Sequence, residues 1–231
     1  MKNLAIIPAR SGSKELKDKN IKLLNGKPLM AYTIEAAIKS KMFDEVMVST
    51  DSEKYAEIAK QYGAKVPFMR NSKLSNDTAS SWDVVRNVLD KYKEAGKEFD
   101  TVALLQPTSP LRTAEDIVKG YKILKDKSAN SVIGVCEVGH SPLWMNTLPE
   151  DNVMVNFINP KVAGLPRQKL DKYYRINGAL YIIRTDTINK IDNLYNDKCY
   201  ALIMDKNKSI DIDDDFDFVF AETILNSSNY F

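Results

Sequence analysis

A basic loop early in the chain contains residue types that bind phosphate groups. Residues 9–20 read ARSGSKELKDKN and combine small residues with Arg10, Lys14 and Lys19. The backbone amides of a glycine- and serine-containing turn can point at an anion, arginine can grip phosphate oxygens in a fork, and lysine adds a mobile charge. The loop has neither the G-x-x-x-x-G-K-[ST] spacing of a P-loop nor the G-x-G-x-x-G dinucleotide fingerprint. Taken alone, it predicts either a phosphate site or a solvated turn.

An acidic segment near the C-terminus, SIDIDDDFDF, contains five aspartates and no basic residue. If residues 209–212 form a strand, Asp211 and Asp213 project from the same face. Two such carboxylates, unpaired by nearby cations, suit a hard divalent ion such as Mg²⁺ that bridges substrate phosphates. The alternative is that the aspartates cap the last helix and favour its dipole. We assign the metal to Asp211 and Asp213, and the capping to Asp214 or Asp215.

Two more polar segments follow predicted strands. Pro107 and Pro110 stiffen the chain directly after Gln106 and so fix the direction of that side chain, although a rigid turn before a helix explains the same pattern. Residues 70–83 form a long polar loop, which is expected for ligand recognition and for any surface connection. A Ser-His-Asp hydrolase is disfavoured because no G-x-S-x-G motif is present. We assign no chemistry to His140, the one histidine of the chain.

The elements that must position these residues follow the order of an α/β fold. Apolar runs predict strands at residues 4–7, 45–50, 65–69, 101–106, 131–138, 178–184 and 199–204. Helical patterns lie between or after them at residues 29–40, 51–63, 82–92, 113–124 and 214–225. Asp51 is the predicted N-cap of the second helix, and Thr113 with Asp116 predicts a capping box. This alternation indicates a doubly wound parallel sheet, in which ligands bind outside the carboxyl ends of the strands.

The regular rhythm stops after His140. Residues 142–176 contain four prolines, a glycine and scattered aromatic residues with weak periodicity. This composition predicts an inserted arm. We therefore interpret residues 1–231 as a single domain with an arm at about residues 142–176.

Composition restricts the classes of partner. The formal net charge of +2 is too small for a dedicated nucleic-acid binder. Cys136 and Cys199 stand far apart in the chain, which predicts reduced thiols rather than a disulfide framework or a zinc site. No apolar run is typical of a signal peptide or a membrane span. We expect a cytoplasmic protein with neither a nucleic-acid nor a membrane partner.

Together these segments resemble the acylneuraminate (CMP-sialic acid) cytidylyltransferase family over nearly the whole chain. The matching motifs, in the family's order and spacing, are IPARSGSKELKDKNIK, STDS, R…LSNDTASS, LLQPTSPLR, PRQ, RINGALYI and SIDID. The resemblance implies an α/β, Rossmann-like nucleotidyltransferase fold and a homodimer whose arm reaches the partner. It also implies transfer of CMP from CTP to the anomeric hydroxyl of an acidic nine-carbon sugar, with N-acylneuraminate as the first choice, and release of pyrophosphate.

The resemblance further implies roles for individual residues. The implied catalytic residues are Arg10, Lys19 and Asp211. The positions that match CTP-contacting residues are Arg10, Ser13, Lys14, Lys19, Asn20, Arg70 and Ser81. The sugar pocket is assigned to Gln106, Arg167 and Tyr181. The carboxylates that match the family's metal ligands, here for Mg²⁺ or another divalent cation, are Asp211 and Asp213.

Two positions depart from the family's pattern. Members usually carry glycine after the Ser-Lys of the loop, whereas this chain has Glu15, whose carboxylate must point away from the phosphates or help to hold a cation. Trp144 stands where sialic-acid enzymes often have a basic residue, which leaves more of the sugar's carboxylate to Arg167. Legionaminic and pseudaminic acid therefore stay open as candidate sugars.

Two further hypotheses fit the sequence less well. Enzymes of the 3-deoxy-octulosonate type resemble the N-terminal motif but lack the LSNDTASS and RINGALYI segments. A catalytically silent nucleotide-binding module would be expected to lose its metal ligands first, whereas Asp211 and Asp213 are intact here.

Overall fold

The structure, a computed structural model, describes residues 1–13, 16–71, 74–75, 80–188, 194–195 and 198–227. The strands in this part of the chain are β1 (Asn3–Pro8), β2 (Leu23–Leu24), β3 (Lys27–Pro28), β4 (Glu45–Ser49), β5 (Thr101–Leu104), β6 (Ser131–Glu137), β7 (Tyr174–Arg184) and β8 (Cys199–Ile203). Its α-helices are α1 (Leu29–Ser40), α2 (Glu53–Gln61), α3 (Ser81–Glu94), α4 (Ala114–Asp126) and α5 (Asp215–Asn226). None of these helices is both long and apolar enough to cross a membrane.

Six of the strands form one mixed sheet in the order β4-β1-β5-β7-β6-β8. β1 pairs in parallel with β4 and β5, and β6 pairs in parallel with β8. β7 is antiparallel to both of its neighbours, β5 and β6, so it runs against the other strands of this sheet. The predicted α/β fold with a mostly parallel sheet is confirmed.

Helices cover both faces of the sheet, as the alternation of side chains along β1 requires. Ala5 and Ile7 point into an apolar cluster shared with α1, α2 and α4, whereas Leu4 and Ile6 point into a second cluster shared with α3. Successive residues of a strand face opposite sides, and an unbroken apolar run therefore predicts burial on both faces. All four of these side chains are fully buried.

A third apolar cluster lies outside the sheet and joins the two ends of the chain. Leu16 and Leu24, from the segment after β1, pack in it with Ile210, Ile212 and Phe218 from the C-terminal segment and α5. Each of these side chains is buried. Burial of apolar surface is the main favourable term in folding, so this cluster fixes the basic loop against the acidic segment.

The expected strand at residues 65–69 is wrong. Lys65 alone makes an isolated parallel bridge, in which its N–H donates to the Val46 carbonyl at 2.8 Å and its carbonyl accepts from Val48 at 2.9 Å. Pro67, two residues later, has no N–H to donate to a ladder, which gives a physical reason for the pairing to stop.

Of the helix-capping predictions for α4 and α2, the one for α4 is confirmed and the one for α2 is wrong. Thr113 and Asp116 form the predicted capping box at the start of α4. The prediction that Asp51 caps α2 is wrong, because Ser52 is the N-cap. The Asp51 carboxylate instead accepts hydrogen bonds from Ser11, which neighbours the basic loop's glycine. The polar residue expected to cap a helix thus binds a segment 40 residues away.

Residues 138–173, which connect β6 to β7, contain most of the range predicted to form an arm. Regular structure here is limited to short 3-10 turns at Pro142–Trp144 and Arg167–Lys169. β7 begins at Tyr174, so the last residues of the range 142–176 lie in a strand. Several large apolar side chains of the segment are exposed, including Met145, Leu148, Met154 and Val155.

At the amino end of β4, a buried carboxylate connects this strand to α3 and to the segments that contain Lys65 and Lys97. Glu45, at the start of β4, is 5% exposed and accepts hydrogen bonds from Tyr92 Oη, Lys97 Nζ and Lys65 Nζ. Burial raises the pKa of Glu45, but the hydrogen bonds from Lys97, Tyr92 and Lys65 outweigh it and hold the pKa below the usual range. A carboxyl group whose pKa is lower in the folded than in the unfolded state stabilises the fold above its unfolded pKa of about 4.3.

We predict that Glu45→Gln lowers the free energy of unfolding by roughly 1–3 kcal/mol at neutral pH, because the three hydrogen bonds from Lys97, Tyr92 and Lys65 lose their anionic acceptor. The difference from the wild type should shrink as the pH falls through the folded-state pKa, where the wild-type carboxylate also becomes neutral. Urea denaturation at a series of pH values measures both effects. Glu98→Gln, at an exposed position next to Lys97, is the control. A destabilisation of Glu45→Gln that does not change with pH would contradict this explanation.

Candidate functional site

The carboxyl ends of β4, β1 and β5 lie side by side and bring three loops to one edge of the sheet. β1 ends at Pro8, β4 at Ser49 and β5 at Leu104. The Ala9 N–H donates to the Ser49 carbonyl at 2.9 Å, so the loop after β1 begins against the end of β4. This is the edge at which an open α/β sheet binds ligands.

The loop after β1 is held in place by its own polar residues. The Ser11 N–H and Oγ donate to the two carboxylate oxygens of Asp51 at 2.9 and 3.1 Å. Asn20, which is 7% exposed, donates from Nδ2 to the Arg10 carbonyl at 3.0 Å. Tyr55 Oη donates to the carboxylate of Asp18 at 3.0 Å. Asn20, which we predicted to contact the nucleotide, thus also braces the loop that carries Arg10.

Two guanidinium groups lie close together at this edge. Arg70 donates from Nε to Ser49 Oγ at 3.1 Å and from Nη2 to the Ser49 carbonyl at 2.6 Å. Burial lowers the pKa of Arg70 to about 10; Arg10 lowers it further, whereas Asp51 opposes the shift. Arg10 itself donates from Nη1 to the Ser75 carbonyl at 3.4 Å. Two cations held at the end of the same strands create a positive potential that favours an anion.

Lys19 connects the basic loop to the acidic segment. It is 9% exposed, and its Nζ donates to the Ile212 carbonyl at 2.7 Å and to Asp213 Oδ1 at 3.1 Å. The expectation that Asp213 has no cation beside it is therefore wrong. Lys19 is separated from Ile212 by 193 positions in the chain and from Asp213 by 194, yet it contacts both. The separation in sequence is too large for any local pattern to indicate it.

Asp211 lies deeper in the structure than Asp213. Its Oδ1 is buried and accepts no hydrogen bond within the described part of the chain. Burial raises the pKa of Asp211; a hydrogen bond from Thr108 lowers it, and the nearby Asp213 raises it. A buried carboxylate oxygen without a donor is costly unless a ligand or water satisfies it, so this atom is suited to a cation.

The expected strand at residues 209–212 is wrong, although Asp211 and Asp213 still lie close enough to interact electrostatically. A 3-10 turn, Lys206–Lys208, precedes the segment, and the Ile212 N–H donates to the Thr108 carbonyl at 2.8 Å. The segment therefore bonds to the turn after β5 instead of to a strand. Asp214 caps α5 through a capping box with Asp217, as we predicted for Asp214.

Gln106 and Asp211 share the space above a glycine of β7. Gly178 has φ +73°, and a Cβ added to it would lie 2.5 Å from Gln106 Oε1 and 3.3 Å from Asp211 Oδ2. Gly178 is thus required both by the backbone conformation and by the close approach of the two side chains. The amide predicted to contact the sugar and a carboxylate predicted to bind the metal are neighbours.

Tyr181 lies on the same strand, three residues further along. Its ring packs edge to face against Trp82, with the ring centroids 5.5 Å apart. Burial raises the pKa of Tyr181 to about 12, and the neighbouring Tyr195 and Asp211 raise it as well. The phenol therefore stays protonated at neutral pH and can donate a hydrogen bond.

Sequence reasoning missed Arg112, which supports the turn that carries Gln106. Arg112 is 2% exposed, and its Nη1 donates to the Ala179 carbonyl at 2.6 Å and to the Gln106 carbonyl at 3.3 Å. Burial lowers its pKa to about 9. Its motif, LLQPTSPLR, indicates a rigid turn, but nothing in it distinguishes a buried arginine from a solvated one.

Sequence reasoning also missed the residues that fasten the acidic segment to β7. Asn177, which is fully buried, donates from Nδ2 to Ser209 Oγ at 2.9 Å. Arg175 donates from Nη2 to the Ser209 carbonyl at 2.8 Å. Both residues belong to the RINGALYI motif, and the only signal of their importance is the motif itself.

The structure describes only part of the remaining predicted CTP-binding residues. Ser13 is half-buried in the basic loop, and Ser81 is the half-buried first residue of α3. Lys14 and Glu15 lie outside the described residues. The residues 76–79 of the LSNDTASS motif also lie outside them.

Arg167 and Trp144 belong to the segment between β6 and β7. Arg167 is exposed in the turn Arg167–Lys169 and lines a surface cleft of about 380 Å³ with residues that include Glu137, Ser141 and Tyr173. Trp144 ends the turn Pro142–Trp144 and is half-buried. Among the described hydrogen bonds and ion pairs, none joins Arg167 to the residues around Gly178.

The acidic segment fits a hard divalent cation. The described residues contain no cluster of three or more His, Cys, Asp and Glu side chains that could hold a metal ion by themselves. Mg²⁺, however, is usually bound through one or two carboxylates together with substrate phosphates and waters. The buried, unsatisfied Oδ1 of Asp211 and the neighbouring Asp213 match that kind of donor set.

Comparison with known proteins identifies the family of the chain. Residues 4–159 match the family model described as cytidylyltransferase. The chain is 37% identical over 232 residues to the CMP-N,N'-diacetyllegionaminic acid synthase of Legionella pneumophila, with 97% of each chain covered. It is also 37% identical over 228 residues to the N-acylneuraminate cytidylyltransferase of Escherichia coli, of which it covers 53%. The chain thus spans about half the length of that second relative.

A solved structure gives the same fold. The chain is similar to CMP:2-keto-3-deoxy-manno-octonic acid synthetase complexed with CTP, with a TM-score of 0.72 over 97% of this chain and 98% of that chain. The sequence identity is 17%, so this likeness concerns the fold alone. The family model and the relatives at 37% identity lead to one conclusion: the chain belongs to the cytidylyltransferase family and is a nucleotidyltransferase.

Proposed function

We propose that this protein transfers CMP from CTP to the anomeric hydroxyl of an acidic nonulosonic acid and releases pyrophosphate. N-acylneuraminate is the first choice of sugar, and legionaminate and pseudaminate are alternatives. Two observations carry the proposal: Arg10 and Arg70 interact at the ends of β1 and β4, and Lys19, from the same loop as Arg10, contacts Asp213 beside Asp211. Relatives named for N-acylneuraminate and for diacetyllegionaminic acid are equally identical to this chain, so identity does not choose between these sugars.

The basic loop would hold the triphosphate. Arg10 and Lys19 offer charge-assisted donors, and the backbone at Gly12 and Ser13 would offer amides for phosphate oxygens. Arg70, pinned to Ser49, adds positive charge behind them. Lys14, Asn20 and Ser81 complete the proposed set of CTP-binding residues.

In the proposed reaction, the anomeric oxygen of the sugar attacks the α-phosphorus of CTP. The new P–O bond forms as the bond from the α-phosphorus to the bridging oxygen breaks; pyrophosphate leaves with that bond's electron pair, and the hydroxyl proton is lost to water. Negative charge grows on the leaving group, and Arg10 and Lys19 would stabilise it electrostatically without having to reorganise. Mg²⁺, held by Asp211 and Asp213, would supply positive charge at the phosphates and lower the pKa of the attacking hydroxyl.

The sugar would bind over β7, beside Gln106 and Tyr181. The backbone of Gln106, which carries the side-chain amide, is held in place. Its carbonyl accepts hydrogen bonds from Arg112 Nη1 and Thr33 Oγ1, each at 3.3 Å. A rigidly held amide and a protonated phenol are suited to the hydroxyl groups of a sugar. The guanidinium of Arg167 is suited to the sugar's carboxylate.

We further propose that Arg167 acts in the site of a second subunit, in a homodimer. Arg167 is exposed on a long irregular segment whose apolar side chains, such as Met154 and Val155, are also exposed. Exposed apolar side chains of this kind are typical of a surface that becomes buried in an assembly. An arm that reaches a partner would bring Arg167 to a sugar bound over the other subunit's β7.

We also propose a cytoplasmic location. Both cysteines are free thiols, and Cys136 is fully buried, which fits a reducing compartment. The formal net charge of +2 gives no reason to expect nucleic acid as a partner.

The first prediction from the proposed function concerns the reaction itself. With Mg²⁺, each of the four nucleoside triphosphates and a panel of nonulosonic acids, we expect pyrophosphate release with CTP and one or more members of the panel. A reaction without sugar is the control for CTP hydrolysis. Release with ATP or GTP but not with CTP would contradict the proposal. Binding of CTP without release for any sugar would favour the silent nucleotide-binding module instead.

A second prediction concerns the carboxylates. Asp211→Asn should reduce turnover by a factor of about 10³ or more while the protein still folds, because a neutral amide cannot provide the charge that holds the cation beside the phosphates. Steady-state rates over a range of Mg²⁺ concentrations, with circular dichroism to verify folding, measure the effect. Asp215→Asn removes the same charge from an exposed position and is the matched control. Near-wild-type turnover of Asp211→Asn at saturating Mg²⁺ would contradict a role as metal ligand.

A third prediction tests Arg167 and the homodimer together. Arg167→Ala should raise the KM for the sugar far more than the KM for CTP. When this variant is mixed and re-assembled with Asp211→Asn, hybrid dimers contain one site with both wild-type residues, so about one quarter of the wild-type rate should return at low sugar concentration. Mixing without any recovery would place Arg167 in its own subunit's site or outside the reaction.

A further inference from the structure

The ammonium group of Lys19 is held between two acceptors of the acidic segment. Its side chain is 11% exposed, whereas that of Asp213 is 65% exposed. Nζ donates to the Ile212 carbonyl at 2.7 Å and to Asp213 Oδ1 at 3.1 Å. The Ile212 carbonyl therefore anchors Lys19, and the lysine neutralises the carboxylate of Asp213, which is exposed enough to contact a ligand.

Lys19 also acts on the second carboxylate of the pair. Its positive charge lowers the pKa of Asp211, against the larger effect of burial. Lys22 makes a different ion pair, with Asp215 Oδ1 at 2.5 Å. Arg175 also acts electrostatically on Asp211, but its Nη2 donates to the Ser209 carbonyl. Lys19 is thus the cation in direct contact with a carboxylate of the Asp211–Asp213 pair among the described residues.

A divalent cation at these carboxylates and an ammonium group at Asp213 would repel each other. Like charges a few ångströms apart destabilise each other more strongly at a partly buried site than in bulk water, because the surroundings screen them less. Lys19 Nζ has three N–H groups, and two of them are used within the protein. The third N–H can donate to a phosphate, and the negative charge of a triphosphate would draw the ammonium group away from Asp213.

We infer that Lys19 is the internal counter-ion of the Asp211–Asp213 pair in the ligand-free protein, and that it leaves Asp213 for the triphosphate when CTP binds. The inference rests on the proposed CTP site. The nucleotide would then open the carboxylates to the divalent cation, and the two ligands would bind with positive coupling. The cation alone would bind weakly, because it must displace Lys19 without a phosphate to receive the ammonium.

The test is a titration of the nucleotide-free protein with Mn²⁺, followed by electron paramagnetic resonance. Lys19→Met should bind Mn²⁺ roughly tenfold more tightly than the wild type, since the competing positive charge is gone. Lys22→Met, which removes the same charge from the Asp215 pair, should bind Mn²⁺ with a Kd close to that of the wild type. Equal or weaker Mn²⁺ binding by Lys19→Met would overturn the inference.

A second measurement approaches the same ion pair from the other partner. In EDTA, Asp213→Asn should bind CTP roughly two- to fivefold more tightly than the wild type, because Lys19 no longer has to leave a carboxylate. Asp215→Asn removes an equal charge nearby and controls for general repulsion of the nucleotide. An equal gain for both variants would overturn the inference.

Asp211→Asn separates failure of this inference from failure of the proposed metal site. If Asp211→Asn abolishes Mn²⁺ binding while Lys19→Met does not tighten it, the counter-ion role is wrong and the metal site stands. If Asp211→Asn leaves Mn²⁺ binding unchanged, the metal site is elsewhere and both proposals fail.

Discussion

The contact of Lys19 with Ile212 and Asp213 is the interaction on which the candidate site depends. It joins the basic loop after the first strand to the acidic segment before the last helix, which are 193 residues apart in the chain. The third apolar cluster makes this contact possible, because Leu16 from the basic loop and Ile212 from the acidic segment are buried in the same small core. Apolar burial thus supplies the stability, and the ion pair lies on its surface, where charges can exchange partners. Groups for binding an anion and a cation are thereby placed next to each other.

The second constraint is the reversed strand β7, over which Gln106, a proposed sugar-binding residue, lies beside Asp211. β7 lies between β5 and β6, and Gly178 on it leaves room for Gln106 and Asp211. Arg112 then ties the Gln106 turn to the Ala179 carbonyl from beneath. A buried guanidinium is a costly way to hold a turn, and its Nε and Nη2 make no hydrogen bond within the described residues. We interpret the free-energy cost of burying Arg112 as the consequence of holding Gln106 in a fixed position against β7.

The sequence predicted the parts of this structure that local physics decides. The apolar run of β1 indicated a strand buried on both faces, and Thr113 with Asp116 indicated a helix start, because the signals lie within a few residues of one another. Predictions failed where a distant residue competed for the same group. Asp51 binds Ser11 instead of capping α2, and residues 209–212 bond to Thr108 instead of forming a strand. Neither partner can be identified from sequence periodicity, since each depends on the packing of the whole chain.

In the candidate site, too, local patterns could be predicted and contacts between distant residues could not. The residue types that could bind phosphate and metal were recognisable from the motifs, but the pairing of Lys19 with Asp213 and the buried supports at Arg112 and Asn177 were not. Family resemblance supplied the order of motifs, and the structure supplied the reasons for residues that carry no chemistry, such as Gly178. The role that we propose for Arg167 involves a second copy of the chain, which no pattern within one sequence indicates.

The central claim is that the basic loop and the acidic segment form two walls of one CTP site. Hydrogen–deuterium exchange with and without CTP and Mg²⁺ tests it most directly, because it maps the ligand without altering any residue. We predict that exchange slows together in residues 9–13 and 209–213, while residues 137–141 and 170–173 around the cleft that contains Arg167 stay unchanged. Slowing of only one of the two walls, or protection confined to that cleft, would contradict it.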